Sequence, residues 1–274
     1  MQRRDVLKTL AIGTSGAFAA ACGSAPLPRP APPNKTPFVL VHGAFHGAWV
    51  WGRVAERLRM AGHPVFAPTL TGMGQRSHLI SPNVNLDTHI ADVVGVIDNE
   101  ELTNVVLVGH SYAGIVVTGV ADRRNDRLRQ VIYFDAVLPE NGKAWADFNT
   151  PDVVARRKAE VAAKGEGYRW SVEQSPAAYG VTDRNDAAWL QRRFSAFPFA
   201  AYLQPLRIAG PGLGKLPRAY IDCTQPVFAP INRFREQARA DRGFKVMPLA
   251  AGHDGMVNKP DEVTKLFRSL AGTA

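Results

Sequence analysis

Val105-Val106-Leu107-Val108-Gly109-His110-Ser111-Tyr112-Ala113-Gly114 carries more architectural information than any other stretch of this 274-residue chain. Four consecutive apolar residues, three of them β-branched valines, read as a strand buried on both faces, the pattern of a parallel sheet. Small residues then flank one serine, and Ala113 to Ala121 begins a helix. The stretch nearly matches G-x-S-x-G, with Ala113 in the place of the last glycine and Gly114 just after it. The small residues have a steric reason: a serine on a strained strand-to-helix turn leaves no room for bulk beside it. Such a turn lifts the Ser111 hydroxyl above the sheet edge and aims a helix N-terminus at it. G-x-S-x-G alone recurs by chance as a structural Gly-Ser turn. The strand–turn–helix setting is what makes it specific.

Outward from this turn the chain alternates strands and helices. Phe38-Val39-Leu40-Val41, Pro64-Val65-Phe66-Ala67 and Val131-Ile132-Tyr133-Phe134 read as further strands. Ala48 to Met60 has helical periodicity and stops at Gly62, and Leu86 to Leu102 carries one apolar stripe of Ile90, Val93, Val94 and Ile97. Arg218-Ala219-Tyr220-Ile221 and Lys245-Val246-Met247 give two late strands, and Pro260 to Leu270 a last helix. Repeated βα units predict an α/β fold with a doubly wound, mostly parallel sheet. The alternation breaks over residues 140 to about 214, where Trp145, Phe148, Trp170, Tyr179, Trp189, Phe194, Phe197, Phe199 and Tyr202 sit among helical stretches and prolines. The expectation there is a helical cap inserted in a catalytic domain of residues 37–274.

The ends and the composition set the wider frame. Arg3-Arg4-Asp5-Val6-Leu7-Lys8 is a twin-arginine pattern, and the apolar run Leu10 to Ala21 after it falls short of the roughly 20 residues that span a bilayer. Residues 1–21 therefore read as a signal peptide and the protein as exported from a bacterium, to the periplasm or a membrane-anchored state. Cys22 resembles the acylated cysteine of a bacterial lipoprotein, which would tether the chain to a membrane. The alternative is plain cleavage after small residues, since Ala19 stands where a lipobox usually has leucine. Residues 22–36, with Pro26, Pro28, Pro30, Pro32 and Pro33, read as an extended tether. The only other cysteine is Cys223, in an apolar run, so a disulfide staple is not expected. The net charge of +9 comes from scattered basic residues without an interleaved aromatic stripe, which argues against nucleic acid as a partner. A hydrophobic fraction of 46% and a mean hydropathy of -0.14 suit a globular domain rather than a membrane bundle.

A serine hydroxyl needs a base to become a nucleophile. His253, in Ala250-Ala251-Gly252-His253-Asp254-Gly255 between the last strand and the last helix, is the candidate. The base in turn needs a carboxylate to hold its tautomer. Asp135 and Asp222 each end a strand on the same sheet edge, and both stand as candidates. Asp254 adjoins His253 and is poorly placed to reach the same ring. Asp147, Asp152, Asp183 and Asp186 read as solvated cap residues. The tetrahedral oxyanion of acyl transfer needs two converging N–H groups. Tyr112 supplies one, and the loop His42-Gly43-Ala44-Phe45 after the first strand the other.

Together, His42-Gly43-Ala44-Phe45-His46-Gly47-Ala48-Trp49, Gly109-His110-Ser111-Tyr112-Ala113-Gly114 and Gly252-His253-Asp254 resemble the branch of the α/β-hydrolase superfamily that holds plant methyl-salicylate esterases, hydroxynitrile lyases and bacterial carboxylesterases of the pyrethroid-hydrolase kind. The resemblance covers residues 37–271, the cap loosely. It implies Ser111 as nucleophile, His253 as base, and the N–H groups of Ala44 and Tyr112 as oxyanion hole. The plant members carry their acid after the penultimate strand, where alignment here puts Thr224 or Gln225. Ile132-Tyr133-Phe134-Asp135-Ala136-Val137 is instead similar to the acid-bearing segment of some haloalkane dehalogenases, which favours Asp135 over Asp222. The lyases of this branch carry threonine and lysine where this chain has Gly43 and Asp254, so no cation stands ready for cyanide. The expectation is a serine carboxylesterase acting on a small to medium, apolar or aromatic ester, needing no metal or organic cofactor. Its rivals are a non-catalytic small-ligand binder, a cofactor-free dioxygenase or perhydrolase, and an amidase or lactonase with the same site.

Overall fold

The computed structural model describes residues 35–272. The expected signal peptide, Cys22 and nearly all of the proline-rich tether lie outside the described residues. Strands β1 (Phe38–Val41), β2 (Val65–Phe66), β3 (Val105–His110) and β4 (Leu128–Phe134) alternate with helices α1 (Gly52–Met60), α2 (Leu86–Asn99) and α3 (Ala113–Arg123). An insertion follows, made of α4 (Pro151–Lys164), the short strands β5 (Arg169–Trp170) and β6 (Phe197–Pro198), α5 (Arg184–Gln191) and α6 (Phe199–Leu203). The chain returns through β7 (Arg218–Cys223), α7 (Asn232–Ala240), β8 (Phe244–Leu249), α8 (Gly255–Asn258) and α9 (Pro260–Leu270).

Six strands form one sheet in the order β2-β1-β3-β4-β7-β8, and every neighbouring pair is parallel. The expected doubly wound sheet is therefore present. β5 and β6 pair antiparallel with each other outside it. All six residues of β3 are buried, which is why it reads as an unbroken apolar run. Its side chains alternate between two cores. Val105 and Leu107 pack with Ile90, Val93, Val116 and Val120 of α2 and α3. Val106 and Val108 pack with Val54, Leu58, Val263 and Phe267 of α1 and α9.

Some boundaries differ from the sequence expectation for physical reasons. The helix expected from Ala48 begins as a 3-10 turn over Ala48–Trp51 before α1. α2 stops at Asn99 because Glu101 takes a positive φ of 49°, although Leu102 still packs in the core. α7 has no counterpart in the sequence reading. Because β1 leads outward to β2 while β3 leads the other way to β4, the loops after β1 and β3 diverge. A crevice opens at those two strand ends, the usual ligand position in such sheets.

Candidate active site

Three non-glycine residues at this crevice hold left-handed backbone: Phe45 after β1 (φ 67°), Ser111 after β3 (φ 54°) and Asp135 after β4 (φ 44°). Each such residue costs about 1–3 kcal/mol. One fully buried Val, Leu or Phe returns roughly 1.5–3 kcal/mol, so the strands behind these turns, buried except at Arg129 of β4, can hold them. Hydrogen bonds also fix the serine turn. Ser111 N–H donates to Phe134 O at 3.2 Å, and the N–H groups of Gly114 and Val137 donate to Ser111 O at 3.1 and 3.0 Å. The small residues are required by contact. A Cβ on Gly114 would sit 1.9 Å from the Val137 carbonyl oxygen, and one on Gly43 would lie 2.9 Å from both Ser111 Cβ and His110 Nδ1.

His253 Nδ1 lies 2.7 Å from Asp135 Oδ2, and both side chains are buried. The Phe228 ring stacks on His253 with centroids 4.3 Å apart. Asp222 is the lateral neighbour of Asp135, since Phe134 pairs with Ile221 in register. It is engaged elsewhere. Arg235 of α7 donates from Nε and Nη2 to Asp135 at 2.8–3.0 Å, and its Nε lies 3.0 Å from Asp222 Oδ1. Arg239 closes on the other oxygen of Asp222. Arg235 Nη1 donates to Phe228 O and to Asn232 Oδ1, so all three nitrogens of that guanidinium are occupied. Arg235 thus holds both oxygens of Asp135, and Oδ2 also meets His253.

Five histidines surround the crevice, and their partners settle their protons. His42 accepts from Leu70 N–H at Nε2 and faces Gly43 O at Nδ1, and burial drives its pKa down to about 3. His89 faces Thr71 O at Nε2 and so accepts from the Tyr112 hydroxyl at Nδ1, with burial lowering its pKa to about 4. Both are neutral. Burial and its histidine neighbours hold His110 well below its ordinary value too. His46 differs. Burial disfavours its charge, but Asp254 at 3.0 Å from Nε2 and the Ala44 carbonyl at 2.6 Å from Nδ1 raise its pKa above 6.5. Both acceptors need an N–H, so His46 is an imidazolium paired with Asp254. Asp254 therefore reaches a different ring from its neighbour His253.

The pocket above Ser111 holds about 690 Å³ of empty space, its open mouth included. Ser111, His253, Ala44 and His46 line its floor, with Phe45, Phe228 and Phe234. Trp145, Phe148, Trp170, Tyr179, Asn149, Gln174 and Arg157 of the insertion line it too. Of the nine aromatic residues expected in the insertion, four face this pocket and the other five are absent from its lining. Phe197 and Tyr202 among those five pack in the core. The five residues expected at the site are thus brought together: Ser111, His253 and Ala44 on the pocket wall, Asp135 behind His253, and Tyr112 next to Ser111. Among the described residues no protein acceptor takes the N–H of Ala44 or of Tyr112. His46, Arg157 and Arg235 were not singled out from the sequence. His46 could have been, because Asp254, barred from its neighbour's ring, required some other cation.

A family model for the alpha/beta hydrolase family matches residues 38–266. The carbendazim-hydrolysing esterase of Nocardioides sp. is 40% identical over 85% of this chain and 98% of its own length. Methylesterase 7 of Arabidopsis thaliana is 25% identical over 87% of this chain and 97% of its own. An extracellular alpha/beta-hydrolase from a Paenibacillus species, solved as a structure, superposes with a TM-score of 0.76 at 22% identity, over 86% of this chain and 99% of that one. With six parallel strands, the serine turn after β3 and this family match together, the chain belongs to the alpha/beta hydrolase family.

Proposed function

We propose that this hydrolase cleaves carboxylic esters through an acyl-enzyme on Ser111, with His253 as general base and Asp135 as the acid that holds it. The observation carrying this reading is the 2.7 Å contact between His253 Nδ1 and Asp135 Oδ2 beside the pocket that Ser111 lines. The chain is a hydrolase acting on ester bonds, a class supported by its esterase relatives, the Nocardioides enzyme at 40% identity foremost. Asp135 takes the Nδ1–H of His253, which leaves Nε2 free to accept the Ser111 proton. Ser111 Oγ attacks the ester carbonyl carbon, and the N–H groups of Ala44 and Tyr112 receive the oxyanion. The tetrahedral intermediate collapses, and the alcohol leaves with the proton returned by His253. Water, deprotonated by the same ring, then releases the acid and frees the serine. The aromatic walls suit a small to medium apolar or aromatic ester.

An ester panel run on purified wild type, Ser111→Ala, Asp135→Asn and Asp222→Asn tests this. Ser111→Ala should lose turnover and labelling by a fluorophosphonate, and Asp135→Asn should lower kcat by on the order of 10⁴. Asp222→Asn should retain most activity. Undiminished turnover in Ser111→Ala would sink the mechanism. Full activity in Asp135→Asn with loss in Asp222→Asn would move the acid to the neighbouring strand.

A further inference from the structure

Among the described residues, Arg157 is the one arginine in the lining of the pocket. It lies on α4 and lines the pocket that holds Ser111 and His253. Its Nη1 donates to the Tyr202 hydroxyl at 2.8 Å and to Asn149 Oδ1 at 3.2 Å. The guanidinium lies over the Trp170 ring at 4.6 Å and the Tyr202 ring at 5.2 Å. Its Nε is buried without an acceptor, and among the described residues neither Nη2 nor any part of the group meets a carboxylate within ion-pair distance. Arg235, by contrast, has all three nitrogens engaged and two carboxylates against it.

Among the described residues, no anion within the pocket lining offsets the Arg157 charge. No Asp or Glu lines the pocket. Asp147 and Glu173, the acids that act at longer range on Tyr202, are exposed and stand outside the pocket lining. A half-buried guanidinium held only by neutral groups is an expensive arrangement unless something anionic completes it. The cation–π contacts return only about 0.5–2 kcal/mol. Asn149, Tyr202 and Trp170 hold the planar head in place, and arginine in such a setting is suited to a carboxylate.

From this we infer that Arg157 is a specificity residue for an ester that carries, besides the scissile bond, an ionised carboxylate on its acyl or alcohol part. The preferred substrate class is then a half-ester of an aromatic dicarboxylic acid or an ester of comparable shape. The aromatic body fits among Trp145, Phe148 and Phe228, with the ester at Ser111 and the carboxylate at Arg157. The inference rests on Ser111 being the esterase nucleophile, and its test separates the two.

Two isosteric pairs serve as probes: monomethyl terephthalate against methyl terephthalamate, and the corresponding isophthalate pair, so that two spacings between ester and charge are sampled. Wild type should favour the charged member of at least one pair by about tenfold or more in kcat/KM, mainly through KM. Arg157→Met and Arg157→Gln should abolish that preference while keeping turnover of the neutral member within a few-fold. Arg157→Lys should keep part of it. Equal losses on charged and neutral esters in Arg157→Met would assign the residue to bracing the insertion and overturn the inference. So would a wild type indifferent to charge, or a preference that survives in Arg157→Met. Ser111→Ala is the separating control: turnover that persists in it removes the esterase reading itself, whereas Ser111-dependent turnover without charge preference removes only the role of Arg157.

Discussion

His46 and Asp254 show how a single pair can shape the site without taking part in bond making. The imidazolium donates to the Ala44 carbonyl at 2.6 Å and to Asp254 at 3.0 Å. It therefore clamps the loop whose Ala44 N–H is the proposed oxyanion donor. The groups facing His46 are Asp254, the His110, Trp49, Tyr179 and Phe194 rings, and the Ala44 carbonyl. Its pKa is raised above 6.5 in the folded state. The resulting stabilisation is fully present below the unfolded value and is lost as pH rises through the folded one. Asp254→Asn removes the charge that raises it and should destabilise by about 1–3 kcal/mol near neutrality. The gap in Tm between wild type and Asp254→Asn should narrow from about pH 6 to about pH 9. A gap that is constant or widens over that range would show that His46 is neutral and the pair is not ionic.

Helix α7 is the element through which the two candidate acids become unequal. The register of β4 and β7 sets Asp135 and Asp222 side by side, so spacing along the chain could not choose between them. Arg235, projecting from α7, holds Asp135 through both oxygens, while the buried Asp222 shares Arg235 with the half-exposed Arg239. α7 escaped the sequence reading because its nine residues, Asn232 to Ala240, include four charged ones and bury only Phe234, Arg235 and Ala238. The central strands β1 and β3 were legible for the opposite reason, being apolar and buried on both faces. Arg235→Met should cost about 3–5 kcal/mol, because two buried carboxylates lose their common cation. It should also lower kcat, since Asp135 loses the contact that orients it toward His253. Arg239→Met, at a side chain 56% exposed, should cost clearly less, because Asp222 keeps its contact with Arg235. Paired thermal melts and kinetics decide the matter; equal costs at the two positions would contradict the distinction drawn between the carboxylates.

Across the whole chain, the proposed order Ser111, Asp135, His253 would place the acid after the strand next to the serine rather than after the penultimate one. Both candidate acids were legible, because Asp135 and Asp222 each end a mostly apolar run, as Ser111 follows one; the choice between them was not. What was not legible is the polar furniture, Arg157, His46 and Arg235, because each takes its meaning from partners 45 to 208 residues away. All of these groups belong to residues 35–272. A chain beginning at Lys35, without the twin-arginine segment, Cys22 or most of the proline-rich stretch, therefore contains every group that the proposed reaction uses. Such a chain should show the same kcat/KM on a soluble ester and the same Tm as the full chain, each within experimental scatter. A truncated protein that melts like the full chain but turns over esters far more slowly would mean that the first 34 residues contribute to the site. One that fails to fold would mean that they contribute to the core. Equality in both measurements would leave those residues a role outside catalysis and folding, in keeping with the export and tethering expected of them.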